Sequence, residues 1–430
     1  MIARRPNFSQ EFPTKSEFEN ALIDLKKLSK VMENHAESVC KKPEPKKTEL
    51  KIVSSAKGRI EHVLITVPAK KKLGRFTVRG YYKRHFKRLI KALGDDREYT
   101  VVCHPGTKFI IKRWFRRKEV KVNYILSPKF TYSIWAQDAY IVLADKKGNA
   151  YLTEGVLIAR RDDMTVADDV AAQSSIERLP SYLYFQGGNI LKTNDYTLIG
   201  ADYIWKNIGR AHLETKSKVL EGFKAELGTK NIIEVGCHLS DAYEWFENEV
   251  LSGYGFQPIF HIDMYITPTG VIDEGSEKEI IVLGSPQMAY EVTGKWSEDP
   301  VFDDCRYNDF FEQIREQLEE YFTVIRIPLL LTRGNLGGKA PKSKYYNLSF
   351  NNVIIENDGV NKNVIIPTYS GDSRIFGSNR RLRKKLENAS KKVWESLGFK
   401  VHLMDAMEDL AYQEGSVHCI VKILKRTKGK

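Results

Sequence analysis

Four stretches of the chain share one pattern of apolar and polar positions. "DAYIVLADKKGNAYLT" (138–153), "GGNILKTNDYTLIGADYI" (187–204), "HIDMYITPTGVIDEGSEKEIIVLGSP" (261–286) and "NNVIIENDGVNKNVIIPTY" (351–369) each set two short apolar runs around a polar break. Each break carries Gly, Asn or Asp, the residues that tolerate tight reversals, so each stretch predicts strand, turn, strand. "RIEHVLITVP" (59–68) and "HCIVKILKR" (418–426) add single strands near the two ends. Helical spacing appears between them. "DFFEQIREQLEEYF" (309–322) and "LRKKLENASKKVWESLG" (382–398) read as helices, the second closed by Gly398. Strands and helices alternating through a hairpin-rich repeat predict an α/β fold with mixed sheets.

The N-terminal residues differ. Phe18, Leu22, Leu25, Leu28 and Met32 keep near-helical spacing over 16–36, and Ser16 with Glu19 suits a capping box. "KKPEPKKTELK" (41–51) is charged and proline-bearing, as a linker is. The expected organisation is a helical arm and charged linker over 1–57 and a catalytic domain over 58–430.

Chemistry-capable residues collect just before the first strand of each unit. They are Asp138, then Gln186 and Asn189, then His261 and Asp263, then Asn347, and finally Cys419. Equivalent units arranged in a pseudo-symmetric ring would bring these positions to one centre. A thiol, a histidine and two carboxylates there suit a guanidinium. The carboxylates can each accept paired N–H bonds, the thiolate can attack the central carbon, and the histidine can shuttle protons.

Composition narrows the classes. The 430 residues are 42% hydrophobic, ample for a sizeable core, yet no apolar run approaches a membrane span. Two arginines near the start have no apolar segment behind them, so no secretory signal is expected. Five scattered cysteines argue for a reducing compartment, and the expected location is cytoplasmic. No zinc-type spacing occurs. The net charge is +13, with clusters at 69–93, 110–121 and 380–392. These read first as solvated helix faces, with an acidic or nucleic-acid partner as the functional alternative.

The motifs themselves resemble the pentein, or guanidine-modifying, superfamily. "WAQDAY" (135–140) resembles the Trp-x-Gln-Asp motif of peptidylarginine deiminases, and "HIDMYITP" (261–268) the superfamily His-x-Asp motif. "EGSVHCIVK" (414–422) is similar to the C-terminal Val-His-Cys of peptidylarginine deiminases and the related string of agmatine deiminases. "FQGGNILKTNDYTLIGAD" (185–202) resembles the Gly-Gly hairpin of arginine and dimethylarginine deiminases. The resemblance runs from about residue 60 to the end, and its four motifs stand in the family's chain order.

It implies a five-bladed α/β propeller of ββαβ units. It implies Cys419 as nucleophile, His261 as general acid/base, and Asp138 and Asp263 as the guanidinium clamp. Trp135 would pack beside the substrate stem, and His418 would orient or flank the thiol. Gln137, Gln186, Gly188, Asn189 and Asn347 complete the expected substrate-binding set. No cofactor and no metal are expected. One departure matters: deiminases of small substrates place an acidic residue before the Gly-Gly pair, where this chain has Gln186. That points the expectation toward arginine in a peptide or protein. Agmatine or free arginine is the alternative, followed by an amidinotransferase and, outside enzymes, a basic ribosome- or nucleic-acid-binding propeller.

Overall fold

The computed structural model describes residues 49–427 apart from 73–74, 116–119, 130–131, 156–161, 211–212, 238–256, 296–305, 335–343 and 372–378. The helical arm expected over 16–36 lies outside the described residues.

One unit of topology occurs five times: an antiparallel strand pair, then a third strand parallel to the second. Tyr140–Ala144 pairs antiparallel with Ala150–Glu154, and Glu177–Pro180 follows in parallel. The second sheet repeats this with Ile190–Lys192, Tyr196–Gly200 and Asn231–Val235. The third uses Ile266–Ile272, Glu279–Ser285 and Thr323–Gly334, and the fourth Ile354–Asn357, Lys362–Pro367 and Lys400–Met404. In the fifth, the chain's two ends meet. Lys422–Arg426 runs antiparallel to Ile60–Val67, which runs parallel to Glu98–Cys103 and, beyond it, Val122–Leu126.

Parallel neighbours need a crossover, and a helix supplies it in every unit. These are Val166–Gln173, Lys216–Leu227, Arg306–Glu319, Arg380–Ser396 and Gly80–Leu93. The last buries Tyr82, Phe86, Leu89, Ile90 and Leu93, one apolar stripe at helical spacing. Gly398, at φ 79°, stands just beyond the helix Arg380–Ser396.

The hairpins turn where Asn, Asp and Gly were read. Asp145 Oδ1 accepts from the N–H groups of Lys147 and Asn149, with Gly148 at φ 84°. Asp358 Oδ1 accepts in the same way from Val360 and Asn361. Such side-chain bonds fix the reversal and thereby the register of each pair. Residues 49–57, read as the end of the linker, lay Lys51–Ile52 along the first strand of the first sheet.

No helix among the described residues is long and apolar enough to cross a membrane. Each sheet begins at a short polar turn, and those five turns converge.

Candidate active site

The five turns are hydrogen-bonded in a cycle. Gly187 N–H donates to Asp138 O (3.1 Å), joining the second sheet to the first. Ile262 N–H donates to Asn189 Oδ1 (2.9 Å), joining third to second. Asn352 Nδ2 donates to Asp263 O (3.4 Å), joining fourth to third. His418 N–H donates to Asn352 Oδ1 (2.9 Å), joining fifth to fourth. Gln137 N–H donates to Cys419 O (3.2 Å) and returns to the first sheet. Polar residues at one register of a repeat thus bond to their neighbours instead of to water, as buried polar groups must.

Within this cycle lie the four groups expected to carry the chemistry. Cys419, His261, Asp138 and Asp263 are all buried, at 3%, 1%, 5% and 2% exposure. His261 Nε2 lies 2.7 Å from Gln186 Oε1, while its Nδ1 faces Asp138 Oδ1 at 3.7 Å. With Oε1 as acceptor, Nε2 carries the proton, and Nδ1 is turned toward the carboxylate. His418 Nδ1 lies 2.7 Å from Asp263 Oδ2. Asp263 Oδ1 is buried and has no hydrogen-bond partner among the described residues. A buried carboxylate oxygen left that way needs a donor, which a bound cation with N–H groups supplies.

The Gly-Gly pair is required by close approach. A Cβ on Gly188 would stand 2.6 Å from His261 Nδ1 and 3.2 Å from both carboxylate oxygens of Asp263. One on Gly187 would stand 2.0 Å from Gln137 O and 2.7 Å from Lys422 Nζ. Any side chain here pushes into His261, Asp263 or Lys422. Trp135 is half-buried, and its ring covers Gly415, whose Cβ would come within 2.4 Å.

Charge sets the thiol's state. Burial pushes the Cys419 thiol well above its ordinary value, and Asp263 and Asp138 push it further. Cys419 is therefore protonated in the free site. A cation between those carboxylates would cancel the repulsion and ease deprotonation.

Two contributors were not read from the sequence. Asn352 is one: its side chain receives the His418 and Cys419 N–H groups, and its Nδ2 lies 3.3 Å from the thiol sulfur. It stands two residues before the strand Ile354–Asn357, as Asp138 stands two before Tyr140–Ala144, so the offset was the available signal. Lys422 is the other. It opens the last strand, is 6% exposed, and donates from Nζ to Gln137 O (3.3 Å). Burial pulls its ammonium down to about 7, against the opposing pull of Asp138 and Asp263.

The expected substrate-binding residues divide. Gln137 and Asn189 act as fasteners. Gln137 Nε2 donates to Gly187 O, and the Asn189 amide exchanges bonds with Gln257 at 2.8 and 2.7 Å. Gln186 meets His261. Asn347 joins none of these groups among the described hydrogen bonds; it lies inside the strand Lys344–Ser349 and accepts from Tyr307 OH at 2.7 Å. Among the described residues no cluster of three or more His, Cys, Asp or Glu is arranged to hold a metal ion.

No family model matches this chain, and no curated protein does. Solved structures do. The agmatine deiminase of C. jejuni superposes with a TM-score of 0.56 at 16% identity, over 88% of this chain and 96% of its own. The agmatine deiminase of Enterococcus faecalis gives 0.59 at 13% identity, again over 88% and 96%. Five like-built sheets and near-complete coverage of those chains agree on one architecture: this chain has the α/β pentein fold.

Proposed function

We propose that the chain is a cysteine hydrolase that deiminates a guanidino group, and that its substrate is a small guanidino compound. The observation that carries this is the meeting of Cys419, His261, Asp138 and Asp263 inside one hydrogen-bond cycle, with a carboxylate oxygen of Asp263 still in need of a donor. The five sheets are the blades of a closed propeller in this reading, because the bonds between their inner turns return to the sheet where they began.

The chemistry follows from the charges. A guanidinium enters between Asp138 and Asp263, which accept its N–H groups and align its plane. Its charge offsets the two carboxylates and lowers the cost of ionising Cys419, whose proton passes to His261. The thiolate adds to the guanidino carbon, and a C–S bond forms. His261 protonates one terminal nitrogen, which leaves as ammonia with the C–N bond pair. The resulting thiouronium is attacked by water, whose proton His261 takes. The C–S bond then breaks, giving a ureido product and the free thiol. Overall, guanidinium and water give a urea and ammonium.

The small-substrate reading rests on the agmatine deiminases that share the fold over nearly their whole length. Gln186 favours arginine in a peptide only if it meets the substrate, and in the structure its Oε1 is engaged with His261. The deciding assay is ammonia release with agmatine, free arginine and an arginine peptide, with and without an added amine acceptor. Turnover of a small compound at least tenfold above the peptide supports the proposal. Peptide preference returns the substrate to protein arginine, and turnover that requires the amine makes the enzyme an amidinotransferase.

A further inference from the structure

The positive charge of this protein is segregated. Residues 68–94 hold ten Lys and Arg and no acidic residue, and residues 104–118 hold six and none. These sixteen exceed the net charge of the entire chain, +13, so the rest of the molecule is slightly acidic. The fold brings the described parts of the two segments, 68–72 with 75–94 and 104–115, together. One leaves the fifth sheet after Val67 and the other after Cys103, and those two residues are paired in register. The hairpin Lys70–Lys72/Arg75–Thr77 is fixed to the second segment by Phe76, whose ring stacks on His104 at 3.7 Å. Both segments leave by the end of the sheet where Leu64 pairs with Lys422, three residues past Cys419.

Along the helix Gly80–Leu93, Lys83, Lys87 and Lys91 are exposed and recur every fourth residue, about 6 Å apart along the axis. None forms an ion pair among the described residues. Like charges at this spacing oppose helix formation. The basic helix Arg380–Ser396 behaves differently: it pairs Lys384 with Glu387 at 3.0 Å and Lys391 with Glu395 at 3.3 Å. The first helix pairs Arg84 with Asp409 at 2.7 Å but holds no acidic residue of its own, so its lysine row keeps its repulsion, and an anionic polymer with regularly spaced charges would relieve it.

We infer that this face, built from the hairpin, the lysine row and residues 104–115, binds a nucleic-acid strand through its phosphates. The inference stands independently of the catalytic reading. A lipid surface fits less well. The helix's apolar stripe is spent in the core, so no face remains to enter a bilayer. The exposed ring in the patch, Phe109 at 67%, carries the Arg113 guanidinium 4.3 Å from its centroid. A ring and a guanidinium held together on a basic surface are what an unpaired base stacks on.

The test is fluorescence anisotropy of a labelled single-stranded oligonucleotide with the full chain. Binding is expected to weaken by about a thousandfold between roughly 50 and 200 mM salt, as six or more phosphate contacts require. The Lys83→Gln/Lys87→Gln/Lys91→Gln variant is expected to bind at least tenfold more weakly, with a salt slope shallower by about 2. Arg381→Gln/Lys385→Gln/Lys392→Gln, which removes equal charge from exposed positions on the other helix, should stay within twofold. Equal loss in both variants, or no binding at low salt, overturns the inference. So does tighter binding to phosphatidylserine vesicles, or competition by polyglutamate as effective as that by the oligonucleotide.

Discussion

The inner turns of the second and third sheets are built alike and serve different ends. Both are single 3-10 turns before a strand, Gly187–Asn189 and Ile262–Met264, and both are buried. At the second, the polar side chains are spent on the protein: Asn189 on Gln257 and on Ile262 N–H, Gln186 on His261. At the third, Asp263 bonds His418 with one oxygen and keeps the other without a partner among the described residues. One register of a repeated fold thus holds two kinds of residue. Amides fasten neighbouring sheets, while ionisable groups are held by those fasteners and face inward. Substitutions should separate the two kinds.

The largest effect is expected at the carboxylates. Asp138→Asn and Asp263→Asn should each cost about 2–4 kcal/mol of transition-state stabilisation, seen as a thirtyfold to thousandfold fall in kcat/KM. Thermal melts should stay close to wild type. A large loss of stability with catalysis intact would move that residue to the fasteners.

Asn189→Ala should do the reverse. It removes acceptors from Ile262 N–H and leaves Gln257 buried without its amide partner, which costs about 2–3 kcal/mol of stability. Urea unfolding should report this, with kcat/KM within tenfold of wild type under folding conditions.

Lys422 sharpens the comparison, since it is both ionisable and a fastener. Its folded value is near 7, below the ordinary 10.5, so the charged form is disfavoured by folding. Below pH 7 both states bind the proton, and the cost of the buried charge is fully present. Between 7 and 10.5 the unfolded chain alone holds the proton, so stability rises with pH, by up to about 1.4 kcal/mol per unit. Lys422→Met should lose this component: the gain in stability from pH 6 to pH 9 should be smaller than in wild type. An unchanged pH profile in the variant would mean that Lys422 is not neutralised by burial.

The smallest effect is expected from Gln186→Glu. The new carboxylate would meet His261 before any substrate, holding the imidazole protonated to higher pH. The acid limb of the kcat/KM profile should therefore shift upward. A changed ratio of agmatine to arginine peptide without that shift would mean that residue 186 reads the substrate directly.

The meeting of the candidate residues was legible in the sequence because they lie beside strand entries, and strand entries are marked by turn chemistry. The hairpin at 138–153 is found at Tyr140–Ala144 and Ala150–Glu154. Asn352 was missed because "NNVIIEN" was read as strand from its first residue, which directed attention to Asn347; the strand begins at Ile354. Lys422 was passed over because lysine is rarely buried without a partner, and alternation does not say which lysine the fold will enclose. The pairing of Lys422–Arg426 with Ile60–Val67 was not legible either. Periodicity identifies a strand, but a partner some 360 residues away is chosen by the whole architecture.

In the proposed mechanism Cys419 attacks a cation held by Asp138 and Asp263. It is tested most directly by alkylation with two reagents of similar size, a haloacetamidine, which is cationic and planar, and the neutral haloacetamide, with the labelled cysteine located by mass spectrometry. The amidine is expected to label Cys419 alone among the five cysteines, at least a hundredfold faster than the amide, and Asp263→Asn to remove most of that preference. Equal rates for the two reagents, or amidine labelling led by Cys103 or Cys237, would contradict it.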